Sequence, residues 1–139
     1  MSRPREIIEG FYRDIDREDY AAATSVLTED VDWSWGGVPV TGRARVRDFL
    51  TEGGASLGHT THTVLSYLES GGLIATELSV AATHSGPLRL LGTELPATGR
   101  PLTIRACHHA ELGPGGLIRR SNVHLDLLGI LSQLGVLPG

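Results

Sequence analysis

The sequence predicts an α+β fold, with three N-terminal helical segments packed against one face of a curled antiparallel sheet. Three observations predict it. Apolar residues near the start recur at helical spacing. From Thr60 onward the period is mostly two. Gly-rich clusters punctuate the alternating runs. Helices first and antiparallel strands afterwards place the helices together on one side of the sheet. A chain of 139 residues is the size of one domain, so residues 1–139 are read as a single unit.

Ile7, Ile8, Phe11, Tyr12 and Ile15 form one apolar face of the first helix, with Arg5, Glu9, Arg13 and Asp16 opposite. Pro4 suits its first turn, where a missing N–H costs nothing. A second helix is predicted over Tyr20 to Leu27, with Asp19 as its cap. Val31, Trp33 and Trp35 then alternate with Asp32 and Ser34, as in a half-buried strand, and Gly36-Gly37 turns the chain. Thr41 is the expected N-cap of a third helix carrying Val46, Phe49 and Leu50, ended by Gly53-Gly54. Strands are predicted over His62–Leu68, Leu73–His84, Leu102–Leu112 and Leu117–Leu125. Ser70-Gly71-Gly72 and Gly113-Pro114-Gly115-Gly116 serve as turns. Ser85 to Gly99 reads as a long loop, too apolar at Leu88, Leu90, Leu91 and Leu95 for plain exposure. It is expected to act as a lid or to be buried in a dimer. Leu127–Leu137 reads as a closing helical turn. A long sheet must twist and curl, so its concave face encloses a pocket against the helices.

Composition narrows the functional classes. A net charge of −4, unclustered, gives no electrostatic footprint for nucleic acid. No apolar run approaches a membrane span, and Arg3, Pro4, Arg5 and Glu6 interrupt any signal-peptide core. One cysteine, Cys107, cannot form an internal disulfide and suits a reducing cytosol, so a cytoplasmic protein is expected. His59 and His62 complete no metal-ligand constellation, and neither a metal nor another cofactor is expected.

Four stretches, taken in order, resemble the SnoaL-like polyketide cyclase branch of the nuclear-transport-factor-2-like superfamily. They are Phe11-Tyr12-Arg13-Asp14-Ile15 with Asp19-Tyr20, Leu27 to Trp33, Gly86-Pro87-Leu88 through Pro96 to Arg100, and Asp126 to Gly129 through Gln133 to Gly135. The resemblance spans nearly the whole chain. It implies a cone-shaped α+β barrel, a homodimer formed by the sheets, and a cyclase of secondary metabolism acting on a polyketide-like small molecule. In that family an aspartate on the last strand is the acid/base of an intramolecular aldol step, and a histidine on the neighbouring strand lines the same pocket. Without gaps, the family histidine falls on His109 and the aspartate on Val123, which cannot transfer a proton. A one-residue bulge would bring His124 or Asn122 inward instead. The isomerase and epoxide-opening branches fit less well. The nearest position to the isomerase base is Trp33, with Asp32 facing outward. Cys107 and Val123 stand where an epoxide hydrolase needs aspartates around Arg105.

The expected proton-transfer groups are therefore His109, His124 and Tyr12. The expected ligand-binding wall is Trp33, Trp35, Arg105, Cys107, Asn122, Val123 and Leu91. Arg105, Cys107, His109 and Glu111 would share the pocket side, and His108 the convex one. Asp126 has a plainer expected role, capping the final helical turn. Ring closure by positioning, with one or two polar helpers, is the activity these residues imply. A non-catalytic binding module with the same pocket is the alternative.

Overall fold

Residues 2–137 are described by a computed structural model of the chain. Helix α1 (Arg3–Asp16) and the short α2 (Tyr20–Thr24) precede strands β1 (Leu27–Trp35) and β2 (Val38–Thr41). Helix α3 (Arg43–Ser56) leads into β3 (Leu57–Ser70) and β4 (Leu73–His84). A small hairpin, β5 (Leu88–Leu90) and β6 (Thr93–Leu95), separates β4 from β7 (Pro101–Leu112). A 3-10 turn at Pro114–Gly116 joins β7 to β8 (Ile118–Leu125), and α4 (Leu127–Gln133) follows. No helix among the described residues is long and apolar enough to cross a membrane.

The large sheet has six strands in the order β2-β1-β8-β7-β4-β3 and curls without closing. Neighbours are antiparallel except β1 and β8, which run parallel, so the expectation of an all-antiparallel sheet is corrected. The chain leaves β1 and β2, crosses to the far edge through α3, and walks back through β3, β4, β7 and β8. β8 thus arrives beside β1 in the same direction.

Local chemistry explains the helix ends. Ser2 Oγ accepts the Arg5 N–H at 3.2 Å, with Pro4 in the first turn of α1. Asp19 caps α2 through the Ala22 N–H at 3.1 Å, and Asp126 caps α4 through the Gly129 N–H at 2.9 Å. Thr41 is not the cap of α3. It pairs with Asp32 in the β1–β2 ladder, and Gly42 at φ +96° begins the helix. The helix also continues through Gly53 and Gly54. A Cβ at Gly54 would lie 1.9 Å from the Tyr20 hydroxyl, so this glycine permits close packing of α3 on α2 rather than ending the helix.

Two apolar clusters hold the layers together. Ile8, Phe11 and Tyr12 of α1 pack on Trp33, Ile74, Leu78, Ala106, Ala110 and Ile118. Leu88 and Leu90 pack with Leu102, Ile104, Ile130 and Leu134. Each fully buried aliphatic side chain contributes about 1.5–3 kcal/mol. The second cluster is why residues 85–99, read as a long loop, instead form a hairpin tucked over one end of the sheet. The hairpin's base is fixed where Ser85 and Gly86 both donate N–H bonds to Ser56 O, at 3.0 and 3.2 Å. A Cβ at Gly86 would stand 2.3 Å from Ala55 O, a backbone atom that cannot swing away. Gly86→Ala is therefore expected to cost about 1–3 kcal/mol, read as a fall of several degrees in Tm by calorimetry. An unchanged Tm would show that the hairpin base has room to shift.

Candidate functional site

The concave face of the sheet, helices α1 and α3, and the hairpin enclose a cavity of about 660 Å³. Its wall is mostly apolar: Phe11 and Ile15 from α1, Trp33 and Trp35 from β1, Phe49 and Leu50 from α3, and Leu78, Ile104, Val123 and Leu125 from the sheet. Trp35 and Phe49 meet edge to face at 5.7 Å. The ionisable side chains in the wall are Tyr12, Tyr20, Glu52, His62, Arg89 and His108. A second depression, between α2 and α3, is open and lined by Arg43, Arg47, Asp48 and small residues.

A buried polar network ties α1 to the sheet. His108 Nδ1 lies 2.6 Å from the Tyr12 hydroxyl, and its Nε2 lies 2.6 Å from Ser121 Oγ. The Tyr12 hydroxyl also shares a hydrogen bond with Thr76 Oγ1 at 2.7 Å. Two proton arrangements of a neutral imidazole satisfy these contacts. Either Tyr12 donates to Nδ1 while Nε2–H donates to Ser121, or Nδ1–H donates to Tyr12 while Ser121 donates to Nε2. Burial holds His108 neutral, its pKa lowered to about 3 first by desolvation, then by His62 and His109. Desolvation raises the Tyr12 phenol well above its ordinary value, so it too stays uncharged.

A second polar pair lies at the wall. His62 Nδ1 is 2.6 Å from Asp16 Oδ1, and Asp16 Oδ2 accepts the His62 backbone N–H at 2.9 Å. The His62 ring stacks on Tyr12, with centroids 5.2 Å apart and planes 3° from parallel. Among the described residues, no group of three or more His, Cys, Asp or Glu side chains is placed to hold a metal ion.

The residues expected from sequence divide into two groups. Tyr12, Trp33, Trp35, Val123 and Leu91 line the cavity. His109, His124, Arg105, Cys107 and Asn122 do not, and the assignment of the two adjacent histidines is reversed. Along β7 the buried positions are Leu102, Ile104, Ala106, His108 and Ala110, so His108 points inward and Arg105, Cys107 and His109 outward. The β7–β8 register runs without a bulge from Ala106–Leu125 to Glu111–Arg120. Val123 therefore keeps the cavity side, while Asn122 and His124 face away. Outside, Asn122 accepts a hydrogen bond from Ser34 Oγ at 2.8 Å, and Arg105 lies 3.6 Å from Glu77. Asp32 also faces outward, as expected, 3.6 Å from Arg120.

Sequence reading missed His62, Asp16, Thr76 and Ser121. A signal for His108 was present: the aliphatic residues of β7, Leu102, Ile104, Ala106, Ala110 and Leu112, all have even numbers. No local signal links Asp16 to a residue 46 positions away.

The depressed pKa of His108 sets a pH dependence. The unfolded chain binds this proton near pH 6.5 and the folded chain only near 3. Stability from this group is thus fully present above about pH 6.5 and is lost as pH falls toward 3. His108→Gln is expected to melt lower at pH 7 but to lose less on acidification than the wild type. Equal acid slopes in thermal melts from pH 7 to 4 would show that His108 carries none of the linkage.

Comparison with known proteins places this geometry. The sequence matches the SnoaL-like domain family over residues 8–121. No curated protein matches it. Among solved structures, IdmH of Streptomyces antibioticus, a candidate polyketide cyclase, is 24% identical, with 97% of this chain and 100% of that one covered and a TM-score of 0.79. A candidate SnoaL-like polyketide cyclase of Jannaschia is 14% identical over 98% of this chain and 94% of its own, with a TM-score of 0.83. AclR of Streptomyces galilaeus, a candidate hydroxylase, is 17% identical over 97% of each chain, with a TM-score of 0.81. At these identities the structures establish the shared fold, and the family match covers most of the chain. With its curled open sheet, its N-terminal helices and a family match over most of its length, this chain belongs to the SnoaL-like domain family.

Proposed function

We propose that the protein closes a ring in a polyketide-like small molecule, mainly by holding a flexible chain in a reactive conformer. The observation that carries this reading is the large apolar cavity with an uncharged inner polar network, where Tyr12 and His108 are both held neutral. Such a wall suits a neutral, largely apolar ligand. Positioning alone can lower a barrier by several kcal/mol. The likeness to candidate polyketide cyclases supports the substrate class, and secondary metabolism, antibiotic biosynthesis included, is the setting this reading implies.

One observation favours a second reading, a binding or carrier protein without chemistry. Val123 lines the cavity, and on the family resemblance it falls where the cyclases carry their acid/base aspartate. Incubation of the purified protein with linear polyketide-like thioesters separates the two. The expected result is a product of unchanged mass, or one lighter by water, with multiple turnovers. Saturable binding without product would establish the carrier instead.

The outer sheet face supports a homodimer. Ala75, Ala81, Thr103 and Cys107 are exposed there as small side chains among the Arg105–Glu77 pair and His109, and this mixed face would meet its copy in a second chain. Light scattering should give twice the 14.8 kDa chain mass, and Ala75→Arg should give monomer. A wild-type monomer at micromolar concentration would exclude the dimer.

A further inference from the structure

We propose that His62 is the proton-transfer residue of the cavity, held in its working tautomer by Asp16, and that the substrate class is a carbonyl compound with an enolisable carbon. This rests on the reading of the cavity as a ring-closing site and supplies the acid/base that Val123 lacks.

The six histidines differ in what their ring nitrogens can do. His108 has both nitrogens bonded inside the protein. His84 is fully buried, and its Nδ1 accepts the Thr98 N–H at 3.3 Å. His59, His109 and His124 are exposed. His62 alone combines a place in the cavity wall, a carboxylate partner and a nitrogen left over.

The carboxylate fixes which nitrogen that is. An ionised carboxylate only accepts, so the proton of a neutral ring lies on Nδ1, donated to Asp16 Oδ1 at 2.6 Å. The lone pair then lies on Nε2, which has no hydrogen-bond partner among the described residues. Asp16 is itself fixed, because its second oxygen takes the His62 main-chain N–H. Stacking on Tyr12 sets the plane of the ring, and Tyr12 is held by Thr76 and His108. The imidazole is thus oriented by two contacts, each with a partner that is itself held, before any ligand arrives. Asp16 also stabilises the imidazolium that forms on proton uptake.

The step balances within one substrate and this side chain. Nε2 removes a proton from the carbon beside a carbonyl, leaving an enolate and an imidazolium. The enolate carbon attacks a second carbonyl of the same chain. A carbon–carbon bond forms and the π pair moves onto oxygen. The imidazolium returns its proton to that alkoxide, so the product is an isomer of the substrate and His62 is restored.

The test uses the full chain and a linear β-keto thioester that carries a further ketone along its chain, in D₂O. Exchange of the protons between the two carbonyls is followed by NMR, beside ring closure by mass spectrometry. Wild-type protein should accelerate exchange, and His62→Gln should lower the protein-dependent rate by roughly 100-fold or more while thioester binding changes little. Added imidazole should restore part of the rate to His62→Ala. Asp16→Asn should slow exchange about tenfold and shift the His62 ring ¹⁵N signals away from the Nδ1–H pattern. Exchange without ring closure would retain His62 as the base and overturn the ring-closing reading. Ring closure at the wild-type rate in a folded His62→Gln variant would overturn the assignment of His62. Absence of exchange in the wild type would overturn it as well.

Discussion

The hydrogen bond between Tyr12 and His108 is the constraint on which the arrangement of the site depends. It joins α1 to β7, and through Thr76 and Ser121 it reaches β4 and β8 as well. Apolar packing of Ile8 and Phe11 would hold α1 against the sheet, but a purely greasy contact tolerates rotation and sliding. A buried hydroxyl with two partners does not, since a shift leaves desolvated polar atoms unpaired at about 1–3 kcal/mol each. Fixing Tyr12 fixes the rotation of α1, and that rotation brings Asp16, one turn further on, over β3. The stacked His62 ring then rests on the same tyrosine. One side chain thus serves the core, the cavity wall and the geometry of the Asp16–His62 pair.

The neutral state of this network shapes the cavity as much as its bonds do. A charged histidine at the centre of the sheet would need a counter-ion or water, and either would claim space from a ligand. The cavity instead presents mostly indole, phenyl and aliphatic surface, with the uncharged Tyr12 and His108, and with His62, Glu52 and Arg89 among its few polar groups. Positioning and proton transfer are in this way assigned to different parts of the wall. Val123 fits that division, because it adds apolar shape to the wall.

Much of the fold was legible because hydrophobic period alone determines it. The faces of α1 and the alternation of β1, β4 and β7 lie within single elements. The error over His108 and His109 has an instructive cause. A gapless family alignment outweighed the parity written into β7 itself, where Leu102, Ile104, Ala106 and Ala110 demand that even positions face the core. β2 was missed because its four residues, Val38–Thr41, include a proline and have no buried face. The parallel β1–β8 pairing and the Asp16–His62 bond were not legible. Both join residues far apart in sequence, and side-chain pairing at that distance leaves no mark on local pattern.

That parallel pairing also bears on how the chain assembles. Leu27 and Ile118, partners in the β1–β8 ladder, are 91 residues apart, whereas the other strand neighbours lie much closer along the chain. Closing so long a loop carries the largest entropic cost of any pairing in this sheet. Hairpins such as β3–β4 and β7–β8 can form early and locally, while the β1–β8 seam must wait for them. During synthesis the seam cannot form until β8 has left the ribosome. Until then the inner faces of Trp33 and Trp35 have no β8 beside them, so the last strand made is the one that turns an apolar surface into an enclosed compartment.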